Sequence, residues 1–388
     1  MSIKSNIDHF IKDKKSTLLC IGPMSKNCVD ATVELANEYN IPIFLIASRR
    51  QIETEYIEEG YVNNWTTREF SKYVKSIDKN KNIILARDHG GPWQGNYDLE
   101  KNLDEKKTID NALKSFFDDI DNNFDFIHID TSYRIDGKKV SKENSFKLFK
   151  FFFEECNNYA KIKKKKIYYE IGTEEQSGGT QTFEEIEENL DNVTKFCEKK
   201  SLEKPIFTVI QSGTKVMEMR NIGSFEQPVR IKNEIPVEIQ LLKALEICKK
   251  YDFYLKEHNT DYLTNKSLSW YPKIGIHAAN VAPEFGVAET LSLINLMESK
   301  KQYKLINRFI EISYNLKKWK KWVIDEKKCT DFDKAIMSGH YIFSSDEFID
   351  LKKEFMKNCK LNESHINNLL KKSIKSSIKR YLTNFKLI

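Results

Sequence analysis

The chain has 388 residues and a mass of 45.6 kDa, too long for one small core and too short for more than two or three domains of the usual ~100–200 residues. With 40 % hydrophobic and 31 % charged residues it holds enough apolar material for a packed core, which excludes a disordered polymer, and no apolar run approaches the ~20 residues that cross a bilayer. The net charge of +6 is uneven: Lys300 to Ile388 carries 21 basic against 10 acidic residues, and the first 299 residues carry 42 against 47.

Such a tail reads as a solvated helical face, with nucleic-acid binding the remote alternative. The opening MSIKSNIDHFIKDKK lacks the apolar stretch of a secretory signal, so the cytoplasm is the expected location. Cys20, Cys28, Cys156, Cys197, Cys248, Cys329 and Cys359 are scattered without a C-x-x-C pair, which indicates neither a disulfide framework nor a zinc ribbon.

In chain order, short runs rich in β-branched and aromatic residues alternate with amphipathic stretches. Strand Thr17 to Gly22 precedes helix Asn27 to Tyr39, strand Pro42 to Ser48 precedes helix Thr66 to Ile77, and strand Asn82 to His89 precedes helix Lys107 to Ile120. Strand Phe124 to Thr131 leads to helix Lys142 to Ala160, and strand Ile167 to Thr173 to helix Thr182 to Glu198. Strand Ile206 to Gly213 leads to helix Val237 to Tyr251, and strand Asp252 to Asn259 to a crossover, Thr260 to Tyr271, just long enough for a short helix. Strand Pro272 to Ala278 and a closing helix Val287 to Glu298 complete the series, and the remainder is helical by pattern.

Alternating strand and helix units build a parallel sheet, and eight of them close it into a (β/α)8 TIM barrel. The alternative, an open doubly wound sheet, calls for a G-x-G-x-x-G turn after the first strand, and Gly22-Pro23-Met24-Ser25 is not one. The expected organisation is an α/β barrel over residues 1–299 and a basic helical extension over residues 300–388.

A parallel barrel carries its active site at the C-terminal ends of its strands. The predicted strand ends there include Arg49 and Arg50, Arg87-Asp88-His89, Asp130, Glu170 with Glu174 and Glu175, Gln211-Ser212, Glu257-His258-Asn259 and His277. Imidazoles from different strands suit a divalent zinc-like ion, so His89 and His258 are candidate ligands, a hydrogen-bonded histidine without metal being the alternative. Asp88 is a candidate general acid or base, or else a cap or an Arg87 salt bridge. Side chains of neighbours such as Asp88 and His89 point to opposite faces of an ideal strand, so both serve one site only where the strand is ending. Glu170 is a candidate ligand, orienting group or paired carboxylate. Arg49 and Arg50 are candidate clamps for a phosphate or carboxylate, or plain surface arginines. His128 reads as a core histidine, and Gly90-Gly91, Gly178-Gly179 and Gly213 as turns or close approaches to an anion.

The segments ILARDHGGPWQ, YYEIGTEEQSGG, FTVIQSGT, KEHNTDYLT and KIGIHAANVAPEFGVAE resemble, in order, the motifs of the tagatose-bisphosphate aldolase Z-type subunits, a branch related to the zinc-dependent class II ketose-bisphosphate aldolases. The resemblance implies that Asp88 shuttles protons and that His89, His258 and Glu170 hold Zn2+ or another divalent metal. Arg49, Arg50, Gln211, Ser212 and His277 are the candidate contacts for a phosphosugar or sugar acid, although Gly275-Ile276-His277-Ala278 departs from the Asn and Asp pattern that helps bind phosphate in the class II enzymes. Gln211 stands where the class II aldolases have a zinc histidine, as in the Z-type branch, whose best-known members stabilise a separate aldolase subunit.

Three functions are therefore expected as rivals. The first is a metal-dependent carbon–carbon lyase of the aldehyde-lyase type, acting on a phosphorylated ketose or related sugar. The second is a non-catalytic stabilising subunit of an aldolase complex. The third is a sugar-phosphate epimerase or isomerase. A homo-oligomer or an aldolase partner subunit is the expected protein partner, and no membrane is expected.

Overall fold

A computed structural model describes residues 2–132, 140–172, 181–211, 214–225 and 235–388. Ser212, Gly213, Glu174, Glu175 and Gly178-Gly179 lie outside the described residues.

Helix α1, Ile3–Asp8, runs on into a π-helical turn and precedes the barrel. The eight barrel strands are β1 (Leu18–Ile21), β2 (Ile43–Ser48), β3 (Ile83–Gly90), β4 (Phe126–Asp130), β5 (Tyr168–Gly172), β6 (Phe207–Ile210), β9 (Tyr254–Glu257) and β10 (Ala278–Val281). They pair in parallel and close β10 back onto β1. Strands β7 (Lys215–Met217) and β8 (Arg220–Ile222) form a separate antiparallel hairpin in the loop that follows β6. The crossover helices are α2 (Lys26–Tyr39), α3 (Thr67–Ile77), α4 (Asn96–Glu100), α5 (Glu105–Asp121), α6 (Lys142–Ile162), α7 (Phe183–Lys200), α8 (Val237–Tyr251) and α9 (Asn265–Ile274), with α10 (Pro283–Ser299) closing the ring. The starts follow capping chemistry: Thr66 and Thr182 each form a reciprocal capping box, with Glu69 and Glu185.

The predicted eighth strand, Pro272 to Ala278, is corrected. Its apolar residues belong to the last turn of α9 and to the turn after it, where Gly275 adopts a left-handed φ of 86° as the C-cap. The strand itself begins at Ala278.

Inside the barrel, Phe44, Phe126 and Phe207, from alternate strands, meet edge-on or tilted with ring centroids 5.3–6.0 Å apart. Lys256 lies over the Phe44 ring, and its ammonium donates to both Glu170 carboxylate oxygens at 2.7 and 2.9 Å. Neither side chain reaches solvent.

Beyond the barrel lie α11 (Tyr303–Asn315), α12 (Asp331–Ser338), α13 (Asp346–Cys359) and α14 (Glu363–Asn384). A second apolar cluster joins Leu293 and Met297 of α10 to Phe309, Ile336, Phe355 and Ile366. Ile374, Ile378, Tyr381 and Phe385, on and just after α14, instead join the barrel's own core. Among the described residues, no helix is long and apolar enough to cross a membrane.

Candidate active site

The third strand brings Asp88 and His89 to the same place by breaking its own regularity. Its register against β4 shifts between Arg87 and Gly90, and His89 adopts φ 44°, an uncommon conformation for a residue with a Cβ. This bulge turns two consecutive side chains toward one mouth, where the sequence alone assigns that task to the simple ending of a strand. Gly91, at φ 154°, passes so close to β4 that a Cβ there would lie 2.0 Å from the Asp130 carbonyl oxygen. Close approach of the backbone to β4 therefore accounts for this glycine, with no anion needed.

His89 directs Nδ1 to Asp130 Oδ2 at 2.7 Å and Nε2 to His258 Nε2 at 3.1 Å. His258 in turn directs its Nδ1 to Gln211 Oε1 at 3.1 Å. Both acceptors are themselves fixed. Asp130 accepts from Gln94 at 2.9 Å and from the Ser132 hydroxyl at 2.6 Å, while Gln211 accepts from Asn259 at 2.6 Å and donates to the Thr214 carbonyl. With each Nδ1 proton committed to an oxygen, the facing Nε2 atoms present lone pairs to each other when both rings are neutral, and hold a proton between them when His89 is the charged imidazolium. Two lone pairs at 3.1 Å repel unless a proton or a metal cation lies between them. Ligand nitrogens on tetrahedral zinc, with bonds of ~2.0–2.1 Å, lie roughly 3.3 Å apart, and imidazoles anchored through their second nitrogen are the usual form of such ligands. The two histidines thus fit a shared divalent ion.

The third expected ligand does not. Glu170 is held by Lys256 inside the barrel, and among the described residues no group of three or more His, Cys, Asp and Glu side chains is disposed to hold a metal. Of the expected His89, His258 and Glu170 set, the structure brings the two imidazoles together and leaves Glu170 paired with Lys256.

Asp88 is the carboxylate beside this pair: Oδ2 is 3.9 Å from His89 Nε2 and Oδ1 is 3.4 Å from His128 Nδ1. Burial alone would raise its pKa, but His89, His128 and Lys256 outweigh it and hold the carboxyl well below the usual range. It is ionised at neutral pH. Burial, and then the charge of His89, push His258 down to about 3, so its imidazole is neutral. Burial is likewise opposed at Lys256, whose ammonium is held above its ordinary value by the charges of Cys20, Glu170 and Asp88.

The remaining expected contacts divide. Arg50 lines the cavity and donates to the Gln94 carbonyl at 3.2 Å. Arg49 is wholly buried, donating to Glu53 at 2.6 Å and to Asp98 and the Gly91 carbonyl at 2.8 Å. It braces the loops after β2 and β3 and does not line the cavity, which corrects its expected substrate role. Gln211 is corrected in the same way, since its amide is consumed in orienting His258. His277 stands at the other end of the barrel, just before β10 begins, where it accepts from the Leu255 N–H at 2.9 Å and packs against Tyr254. This corrects its expected place at the mouth. Burial there lowers its pKa to about 4.

The cavity at the strand ends has a volume of about 380 Å³. Its wall includes Ser48, Asp88, His89, His258 and Asn280 from strand ends and their loops, Lys215 from the hairpin, and Lys321, Trp322 and Tyr341 from the C-terminal extension. Asn280 escapes a reading that misplaces the eighth strand; taking Gly275 as a helix C-cap moves the strand onto it. Its side chain is nearly buried in the cavity wall, and neither amide atom has a protein partner. Nothing in the sequence marks Lys215, Lys321, Trp322 or Tyr341.

The fold is a closed parallel (β/α)8 barrel, with an ionised carboxylate and paired imidazoles at its strand ends. No protein-family profile matches the sequence, and no curated protein matches it. Solved structures do match. A probable tagatose 6 phosphate kinase from Sinorhizobium meliloti 1021 aligns with a TM-score of 0.72 at 16% identity, over 95% of this chain and 100% of that one. The YdjI aldolase from Escherichia coli K12 aligns at 0.54 and 11% identity, over 99% and 96% of the two chains. The fructuronate-tagaturonate epimerase UxaE from Cohnella laeviribosi aligns at 0.55 and 9% identity, over 95% and 81%. At such identities the likeness is one of fold.

Proposed function

We propose that the chain is an aldolase-like carbon–carbon lyase acting on a phosphorylated ketose or a related sugar. One observation carries the reading: His89 and His258 face each other at 3.1 Å with their second nitrogens anchored, beside the ionised Asp88. In the cleavage direction, Asp88 takes the proton from a substrate hydroxyl as the adjacent carbon–carbon bond breaks. The bonding pair moves toward the substrate carbonyl and leaves an enediolate, which the proton held by Asp88 then quenches at carbon. A divalent ion, zinc or another, would be held by His89 and His258 and would supply Lewis-acid polarisation of that carbonyl. Asn280, in the wall of the same cavity, is the amide that would orient substrate hydroxyls.

The test is turnover of a panel of ketose phosphates, read by aldehyde release. Asp88→Ala lowers the rate by at least ~10²-fold, the scale of a lost general acid or base, with metal content measured in parallel. Undiminished turnover in Asp88→Ala overturns the reading.

A second reading, a stabilising subunit of an aldolase complex, is favoured by the want of a third ligand among the described residues. Co-purification with a second barrel protein, with aldol activity only in the mixture, decides for it.

A further inference from the structure

The C-terminal extension reaches over the barrel mouth and is stitched to it. Glu218, in the turn of the β7–β8 hairpin, donates its N–H to the Trp322 carbonyl at 2.9 Å. Its carboxylate accepts the Ile324 and Asp325 N–H groups at 3.0 and 3.3 Å. On the opposite side, Tyr341 packs on Tyr61, in the loop after β2, with ring centroids 4.8 Å apart. The extension therefore bridges the loops that follow the second and sixth barrel strands and forms a roof over the cavity.

Lys321 is part of that roof. Its ammonium lies 4.3 Å from the Trp322 ring centroid and 5.4 Å from that of Tyr341, positions in which cation–π attraction holds it at the rim. Lys215 of the hairpin and Arg50 line the same cavity. Among the described residues, none of the three cations has a carboxylate within salt-bridge distance, whereas Arg49 is paired with Glu53 and Asp98, and Arg87 with Asp119. Three unpaired cations drawn from three separate parts of the chain around one opening make an anion site by charge and by donor count.

We propose that Lys321, with Lys215 and Arg50, binds the anionic terminus of the substrate, a phosphate monoester or a carboxylate, so that the C-terminal extension determines which substrates the barrel accepts. This rests on the lyase reading for what happens next to Asp88, but the anion site stands on its own geometry.

The experiment is calorimetric titration of the full chain with three probes on one carbon skeleton: glycerol 3-phosphate, glycerate and neutral glycerol. At least one anion binds the wild-type protein more tightly than glycerol does, and the tighter of the two identifies the group. Loss of one charge-assisted contact weakens that binding about tenfold or more in Lys321→Ala and in Lys215→Ala, and further in Lys321→Glu. Lys320→Ala, at the exposed neighbour, stays within about twofold on the screening expected of a solvated charge. Anion binding no tighter than glycerol, or unchanged within about twofold in both Lys321→Glu and Lys215→Ala, overturns the proposal. Asp88→Asn separates the two claims. Anion binding that survives in this variant, with no turnover in any protein, sinks only the lyase; Asp88-dependent turnover with Lys321-independent binding sinks only the rim.

Discussion

Replacing Lys256 by Met removes the one ammonium that faces Glu170 and leaves a carboxylate with no solvent exposure inside the barrel. The geometry sets the scale. Both Glu170 oxygens accept from the same ammonium, at 2.7 and 2.9 Å, so the loss strips both at once. Breaking one partner of such a buried pair costs ~3–5 kcal/mol, whereas replacing both by apolar or neutral groups of similar volume is often close to neutral. Lys256→Met should therefore lower stability by about 3–5 kcal/mol, and Glu170→Gln in that background should restore most of it. The assay is equilibrium unfolding in urea, followed by far-ultraviolet circular dichroism, of the wild type, both single variants and the double variant. A Lys256→Met cost below about 1 kcal/mol, or a double variant whose cost equals the sum of the singles, refutes the argument that the two charges are held for each other. The same double variant bears on the site: with Glu170 bound to Lys256, divalent metal uptake by the double variant should match that of the wild type.

Further outcomes are expected. Metal uptake measured by equilibrium dialysis should fall at least ~10-fold in His89→Ala and in His258→Ala, on the scale of a lost anchoring or ligating group, while His277→Ala at the far end of the barrel should leave it unchanged. Glu289 is buried against Ser25 and Asn27, and burial raises its carboxyl to about 7. The folded state then binds the proton more tightly than the unfolded chain, so stability is full below pH ~4.5 and falls as pH rises through about 7, by up to ~3 kcal/mol. Urea unfolding at pH 5 and pH 8 should show this fall in the wild type and lose most of it in Glu289→Gln. Tyr381 of α14 donates to Glu284, and Arg380 donates to Glu284 at 2.6 Å and to the Leu263 carbonyl at 2.5 Å, which ties the extension to the loop that follows His258. Arg380→Ala should therefore raise KM or lower kcat several-fold through this loop, with destabilisation of ~1–3 kcal/mol from the lost charge-assisted bond to Glu284, which keeps Tyr381 and Ser377 as donors.

The first seven strands and the helices between them are legible because each unit alternates a short β-branched run with a stretch long enough to cross back, and Val237–Tyr251 is found with the expected boundaries. The eighth strand is not, because Ile274 and Ile276 make an apolar run out of a helix end and a turn, while the true strand, Ala-Ala-Asn-Val, is short and built of small residues. The β7–β8 hairpin is hidden for a different reason. Its two-residue turn places Glu218 and Met219 at φ 50° and 58°, positions usually marked by Asn-Gly or Asp-Gly. Asp88, His89 and His258 can be found because strand ends in a closed parallel barrel must converge. The burial of Arg49 cannot be read, since its partners Glu53 and Asp98 are four and forty-nine positions away and only the fold brings the second one in. Lys321 and Lys215 escape for the same reason, since they lie about a hundred positions apart and the fold joins their segments through the hydrogen bonds of Glu218.

A lyase of this kind requires Asp88 to move a carbon-bound proton beside the His89–His258 pair. Deuterium exchange from solvent into dihydroxyacetone phosphate, followed by proton NMR in protein supplied with divalent metal, observes that step even while the full substrate is unidentified. Exchange is expected at the carbon next to the carbonyl in the wild type, and at least ~10²-fold slower in Asp88→Asn. Exchange at the wild-type rate in Asp88→Asn, or none with the wild-type protein, contradicts the lyase reading.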